Sequence, residues 1–447
     1  MSKILRLSSL VLVCCVFIAK SAEQKEVTDP NSMRTLGASV ESGPFRPSEC
    51  FDKVWKIINE KFWDPNFNGI DWEDARERYR PKALAAEDHE SFAIVVNRML
   101  SELKTSHTYY YTRWDPSYYT LQAALISGDL VHEDNVMDTS ELDKRRPGLY
   151  SSRANPHRTG IGVVTKQLNG RYFVTAVLAS SPAEDAGVVL GDWIVEVNGK
   201  PFHPIRSFED ENGQELEVTI QRNPSASSRQ TLKITPVDAK ERQMFEKDAL
   251  ERSKKPIEYK GHRCSYIRLW WLMGWKMRGV FEAGIRFHDT EGILLDIRDG
   301  FGGSPATEYI HPFLESGLEQ ITIESTMRNH TGKYPAAYDK PIIVLINGGS
   351  RSGKELLAYY FKKTRRGLLM GERTAGYVCG GSYKRISEDS LLLYGAAMLD
   401  VDGKRLEGVG VAPDIEVPFD IRFAGGKDIQ LERAKDEMIK LIEAKKN

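Results

Sequence analysis

The serine at position 352 stands where a hydroxyl can be made nucleophilic. Before it, Pro341 to Ile346 (PIIVLI) is a short apolar run rich in β-branched residues, the pattern of a buried strand. Asn347, Gly348 and Gly349 break that pattern as a tight turn would. After it, Leu356, Leu357, Tyr360 and Phe361 recur at helical spacing, so a helix starts just beyond Ser352. A serine in such a corner has two readings. It can cap the helix with its side-chain oxygen, which is common. Its hydroxyl can instead be a nucleophile at the positive end of the helix, beside free N–H groups able to hold an oxyanion. A second chemical candidate is His107 in LKTSHTYYY, at the exit of a helical pattern. Taken alone, a histidine there serves more often as a cap or surface residue than as a base.

Around these residues, composition sets bounds. The 447 residues suffice for two or three domains, each with its own core. The 62 basic and 63 acidic residues cancel to a formal net charge of −1, so nothing points to nucleic acid. Residues 1–21 read as a secretory signal peptide: Lys3 and Arg6 precede the apolar run Leu10 to Ala19, and Ala19-Lys20-Ser21 suits cleavage after Ser21. That run is too short to span ~30 Å of hydrocarbon. The mature chain is therefore expected to be exported, periplasmic or secreted, without a stable membrane span. Cys50, Cys264 and Cys379 remain after processing. They form no disulfide framework, and no CxxC or histidine cluster suggests a metal; neither metal nor cofactor is expected. Asn329-His330-Thr331 is a glycosylation sequon, meaningful only in a eukaryotic host.

The elements that must position Ser352 and His107 follow in order. Residues 22–47 read as a flexible leader. From 48 to 112 the pattern is helical, with stripes at Phe51, Val54, Trp55, Ile58, Phe62 and at Phe92, Val95, Val96, Met99, Leu103, ending in a tyrosine strand. Residues 113–154 read as a long connection. Residues 155–237 form a compact β-rich unit carrying GIGVV, SPAEDAG and GDWIVEVNGKPF. Residues 238–260 are charged and helical in propensity, a bridge into the main body. Alternating strands and helices from 264 to 372 make an α/β core with parallel pairing, followed by EGVGVAPDIEV and a terminal amphipathic helix.

The ordered series of SHT, the β-rich unit, DIR-x-x-x-GG, the serine corner, GE-x-T-x-G and EGVGVAPDIEV resembles the tail-specific or C-terminal processing serine peptidases, in particular their tricorn-like branch. It extends from about Ser48 to Lys440. The resemblance implies an α/β multidomain fold: a crotonase-like layered α/β catalytic domain (238–440), an inserted PDZ domain (155–237) and an N-terminal helical segment. In a PDZ domain Gly160, Ile161, Gly162 and Val163 would present N–H groups to a peptide C-terminal carboxylate, the peptide adding as a strand; a lid or spacer is the alternative use. The nucleophile falls on Ser352, three residues before Glu355, leaving Ser350 as a turn residue. Oxyanion donors fall on Gly303, or Gly302, and on Gly353. The Ser/Lys branch places its base where this chain has Tyr377, and Lys354, ~200° around a helix from Ser352, is no obvious substitute. The tricorn-like branch uses a histidine preceded by serine, matched by Ser106-His107, with a glutamate matched by Glu407.

The resemblance thus implies a serine-type peptidase acting on protein or peptide substrates, met through their C-termini where the PDZ domain takes part, by an acyl-enzyme on Ser352. A second class shares the scaffold: binding proteins similar to the interphotoreceptor retinoid-binding protein, which carry non-peptides. The complete Ser/His/Ser/Glu set favours the enzyme. The propeller domains of tricorn-like assemblies have no counterpart in the sequence.

Overall fold

The computed structural model describes residues 45–129, 157–285, 289–303, 306–313, 323–325, 329–330 and 338–446. The expected signal peptide and most of the leader lie outside these residues, as do 130–156 of the expected connection. Among the described residues no helix is long and apolar enough to cross a membrane.

The apolar runs of the second half build one six-stranded sheet, ordered Ile257–Tyr259, His262–Arg268, Gly292–Asp296, Ile342–Ile346, Leu368–Gly371, Ile415–Glu416. Its first pair is an antiparallel hairpin, and every later pair is parallel. Parallel strands are covered on both faces, and all five residues of Ile342–Ile346 are buried. One face packs on the helices Trp275–Ile285 and Gly353–Thr364 through Phe281, Leu357, Ala358 and Phe361. The other packs on the C-terminal helix Ile429–Lys446 through Ala434, Met438 and Ile442. The Asp-Ile-Arg motif is structural here. Asp296 accepts from Tyr266, Arg268 and Arg298, and Arg298 reaches on to Asp428 in front of the C-terminal helix. Burial by itself would raise the Asp296 carboxyl, but the two guanidiniums hold it far below the usual carboxylate range.

The helices Pro47–Lys61, Trp72–Leu84 and His89–Ser101 turn their apolar stripes on one another. Asp71 caps the second helix and a capping box of Asp88 and Ser91 starts the third. The strand Tyr109–Thr112 then leaves this bundle and pairs antiparallel with Ser390–Ala397, Tyr109 opposite Leu393 and Thr112 opposite Ser390. Ser390–Ala397 pairs in turn with Gly380–Ser387, and Ile386, Leu392 and Tyr394 enter the helical core. This three-stranded sheet ties the two ends of the chain together immediately beside His107.

The β-rich unit is an antiparallel sheet ordered Val163–Leu168, Arg171–Val177, Trp193–Val197, Leu216–Gln221, Arg229–Ile234, with its own core. One reading of the sequence changes. Residues 113–154 are not simply a connection, because Pro116–Asp129 is a helix. SYYTLQAALI is apolar around most of its circumference, so it shows no single stripe. It packs Tyr118, Tyr119 and Leu121 against Ile205, Leu391 and Leu393. The charged bridge 238–260 carries a helix, in keeping with its propensity. In its helix Glu241–Ser253, Glu241, Arg242, Glu246 and Asp248 are all buried. Pairing makes this tolerable: Arg242 with Glu246 at 2.7 Å, and Asp248 with Arg252 and the Trp270 indole, both at 2.7 Å.

Candidate active site

Ser352 sits at the carboxyl ends of adjacent parallel strands, where open α/β sheets place their ligands. Two loops meet there. Asn347, just beyond the strand Ile342–Ile346, donates to Asp299 Oδ1 at 3.0 Å and accepts from the Asp299 N–H at 3.1 Å. Ser350 is the turn residue expected of it: buried, it donates to the Ile297 carbonyl at 2.9 Å. Ser352 is the N-cap residue of the helix Gly353–Thr364, in a capping box with Glu355, whose carboxylate accepts from the Ser352 N–H at 3.2 Å. The Glu355 N–H goes to the Ser352 carbonyl at 2.8 Å, and the Ser352 N–H goes to the Tyr377 carbonyl at 2.8 Å. Ser352 is partly exposed and held at φ 59°, ψ −126°, a conformation glycine adopts freely and other residues only at a cost of about 1–3 kcal/mol. Glu355 fixes the opposite side of the corner by accepting from Thr374, Gly376 and Tyr377 at 2.6–2.7 Å.

Ser106, His107 and Glu407 come together in one chain of hydrogen bonds. The Ser106 hydroxyl donates to Glu407 Oε2 at 2.9 Å and lies 3.0 Å from His107 Nδ1. Glu407 also accepts from the N–H groups of Ser106 (2.7 Å), Val378 (2.7 Å) and Cys379 (2.8 Å). A carboxylate only accepts, so the Ser106 proton points to Glu407 and the Ser106 oxygen accepts from Nδ1–H. That fixes the tautomer and leaves Nε2 bare. His107 is itself in the left-handed region, at φ 54°. Burial, with Arg351 adding to it and Glu407 opposing, pushes its pKa down to about 4, so the ring is neutral at physiological pH. A Cβ at Gly381 would lie 2.9 Å from His107 Cδ2, so the absence of a side chain there makes room for the imidazole. No hydrogen bond joins His107 to Ser352. They are linked through 377–378, whose Tyr377 carbonyl holds Ser352 and whose Val378 N–H holds Glu407.

The glycine turn lies directly on the nucleophile. A Cβ at Gly302 would come 2.4 Å from the Gly353 nitrogen, and one at Gly353 would come 1.7 Å from the Gly303 oxygen. The Gly302 carbonyl accepts from Leu272 N–H at 2.6 Å and the Phe301 N–H donates to Trp270 at 2.8 Å, which pins the turn. Among the described residues the N–H groups of Gly303 and Gly353 donate to no protein acceptor.

The other expected positions differ in outcome. Tyr377 is 47 % exposed, while Lys354 is fully buried and donates to the Asp299 carbonyl at 2.5 Å, away from the serine. Burial, with Arg268 adding to it, holds the Lys354 ammonium far below its usual range. In the β-rich unit Gly160 ends the strand His157–Gly160, Ile161 is buried, Gly162 has φ 81° and Val163 opens the edge strand Val163–Leu168. The Ile161 and Gly162 carbonyls accept from Ala183 and Leu178 N–H. A cleft of about 610 Å³ between the His89–Ser101 helix, Tyr109 and Trp114 and the face bearing Gln167, Tyr172 and His203 is lined by none of the four residues Ser352, His107, Ser106 and Glu407. Sequence reasoning missed Gly381, for which no local signal exists, and Arg351, whose position next to Ser352 was the available signal.

Residues 263–417 match the family profile Peptidase family S41, 47–101 the Tricorn protease C1 domain and 173–222 the PDZ domain. The S41 peptidase match is thus preceded in the chain by tricorn-type and PDZ matches, the order of a serine-type peptidase with tricorn-like domains. It is 25% identical over 411 residues to Tricorn protease homolog 1 of Streptomyces coelicolor, covering 86% of this chain and 34% of that protein. It is 24% identical over 343 residues to a Probable CtpA-like serine protease of Staphylococcus aureus, covering 72% of this chain and 64% of that protein. The chain spans about a third of the length of the tricorn homologues it matches. Among solved structures, mature CPAF complexed with lactacystin superposes with a TM-score of 0.51 at 14% identity, over 89% of this chain and 99% of that one, and shares the fold.

Proposed function

We propose that this chain is an exported serine endopeptidase that cuts proteins or peptides through an acyl-enzyme on Ser352. The observation that carries this reading is the Glu407–Ser106–His107 hydrogen-bond chain, drawn from opposite ends of the sequence to the nucleophile corner. As Ser352 Oγ attacks the scissile carbonyl, His107 Nε2 takes its proton, and the imidazolium is stabilised through Ser106 by Glu407. The carbonyl oxygen becomes an alkoxide held by the Gly303 and Gly353 N–H groups. When the C–N bond breaks, His107 returns the proton to the departing amine. Water, deprotonated by the same ring, then releases the acyl group. Substrate binding must draw His107 and Ser352 into contact, since catalytic hydrogen bonds tighten in the bound complex. The PDZ unit binds substrate C-termini along the edge strand Val163–Leu168 or gates their access.

The test is labelling with a fluorophosphonate probe, compared between the natural chain and Ser352→Ala. Adduct formation at Ser352, with peptide hydrolysis lost in the variant and its melting temperature nearly kept, supports the peptidase. A folded chain that neither labels nor cuts is a binding protein on the same scaffold.

A further inference from the structure

Arg351, immediately before the nucleophile, has its guanidinium held in place with no carboxylate paired to it among the described residues. Its Nε donates to the Gly300 carbonyl at 2.9 Å, and its carbon lies 4.3 Å over the Phe301 ring. Both contacts belong to the glycine turn, so the fork is oriented by the same loop that offers the oxyanion donors. They occupy one N–H and one face, leaving the Nη groups unused. Among the described residues the Arg351 side chain forms no ion pair and no further hydrogen bond. Arg268 and Arg298, by contrast, both pair with Asp296, and Arg298 also with Asp428.

The nearby acids are committed elsewhere. Glu407 is surrounded by four donors, and Asp299 is held by Asn347. Asp115 accepts from the Ser117 N–H at 2.7 Å, and burial pushes its carboxyl up, Arg351 acting on it only at a distance. The charge of Arg351 is also felt at His107 and Tyr111, so it lies within the site rather than on an outer face. A planar fork of N–H donors, pre-oriented and partly exposed to solvent, matches a carboxylate in two-pronged geometry.

We propose that Arg351 is a specificity-determining residue that receives a substrate carboxylate within a residue or two of the scissile bond. The carboxylate is either an Asp or Glu side chain or the terminal carboxylate of a short product-length peptide. This rests on the peptidase reading and narrows its substrate class.

The experiment uses matched peptides on the full chain. One arm compares Asp and Glu with Asn and Gln at each position flanking the cut, and the other compares free C-terminal acids with amides. The natural enzyme is expected to favour the carboxylate at one position by about tenfold in kcat/KM. The ratio should approach one in Arg351→Gln and turn toward lysine-containing peptides in Arg351→Glu. Being a ratio, it survives a general fall in turnover, and the arm that responds names the source of the carboxylate. If Arg351→Gln does not fold, loss of the natural enzyme's preference near 1 M salt decides in its place. Ratios within twofold at every position, or a preference kept in Arg351→Gln or at high salt, overturn the assignment. If the natural chain cuts nothing, the peptidase reading falls. Calorimetry of the same peptide pairs on Ser352→Ala, with and without Arg351→Gln, then separates this site from the Gly160–Val163 loop: a preference lost with Arg351→Gln supports it, and equal affinities or a preference kept there overturn it.

Discussion

Protonating His107 should stop catalysis, and the structure sets where that happens. An unperturbed imidazole titrates near ~6.5. Burial, reinforced by Arg351, brings His107 down to about 4. For a base that must be neutral, kcat/KM of the free enzyme should therefore keep its plateau down to mildly acid pH. At pH 5 a group titrating at 4 is about 90% neutral, and one titrating at 6.5 only about 3%, a roughly thirtyfold difference in expected rate. The folded value lies below the unfolded one, so the unfolded chain binds the proton more tightly between them. Stability is thus complete above about pH 6.5 and falls as pH drops toward 4, by up to ~3 kcal/mol from this residue. The assay is kcat/KM on one peptide from pH 3.5 to 8, with denaturant melts at the same pH values. Arg351→Gln should move the acid limb upward, because it removes a cation that depresses the ring. His107→Ala should lose at least ~10³-fold in kcat. A wild-type limb near 6.5, or undiminished hydrolysis in His107→Ala, refutes the reasoning.

Further predictions concern positions around the site. Gly381→Ala puts a methyl within 2.9–3.2 Å of the His107 ring and Cβ, so kcat should fall about tenfold or more with little change in melting temperature; unchanged kcat would show that the ring is not confined there. Asp248→Ala leaves the Ala179 N–H, Arg252 and the Trp270 indole without their buried acceptor, and should destabilise by about 3–5 kcal/mol in urea melts; a loss below about 1 kcal/mol would contradict that account. In calorimetry on Ser352→Ala, peptides ending in a free acid should bind about tenfold more tightly than their amides if the Gly160–Val163 loop takes the carboxylate; equal affinities would leave the β-rich unit a lid.

Local rules were enough for much of this protein. The run PIIVLI, the break at Asn347–Gly349 and the spacing of Leu357, Tyr360 and Phe361 define a strand, turn and helix without any tertiary context, because each rests on side-chain period and turn chemistry. That put Ser352 at a helix start. The choice between cap and nucleophile was not local. It depends on φ 59° and on the Gly302–Gly303 backbone lying against Gly353, a contact between loops some 50 residues apart in sequence. His107 is the stronger case. Its neighbours in sequence describe a helix exit; only the pairing of Tyr109–Thr112 with Ser390–Ala397 carries it to Gly381 and Glu407. The charged run 238–260 was legible as a helix from propensity, but its burial was not, since that rests on pairs within the helix and on Trp270 and Ala179 brought in from elsewhere. The sequence determined which elements form and which residue types stand at their ends. The tertiary structure decided which of those ends meet, because long-range strand pairing and close glycine contacts leave no period in the chain to read.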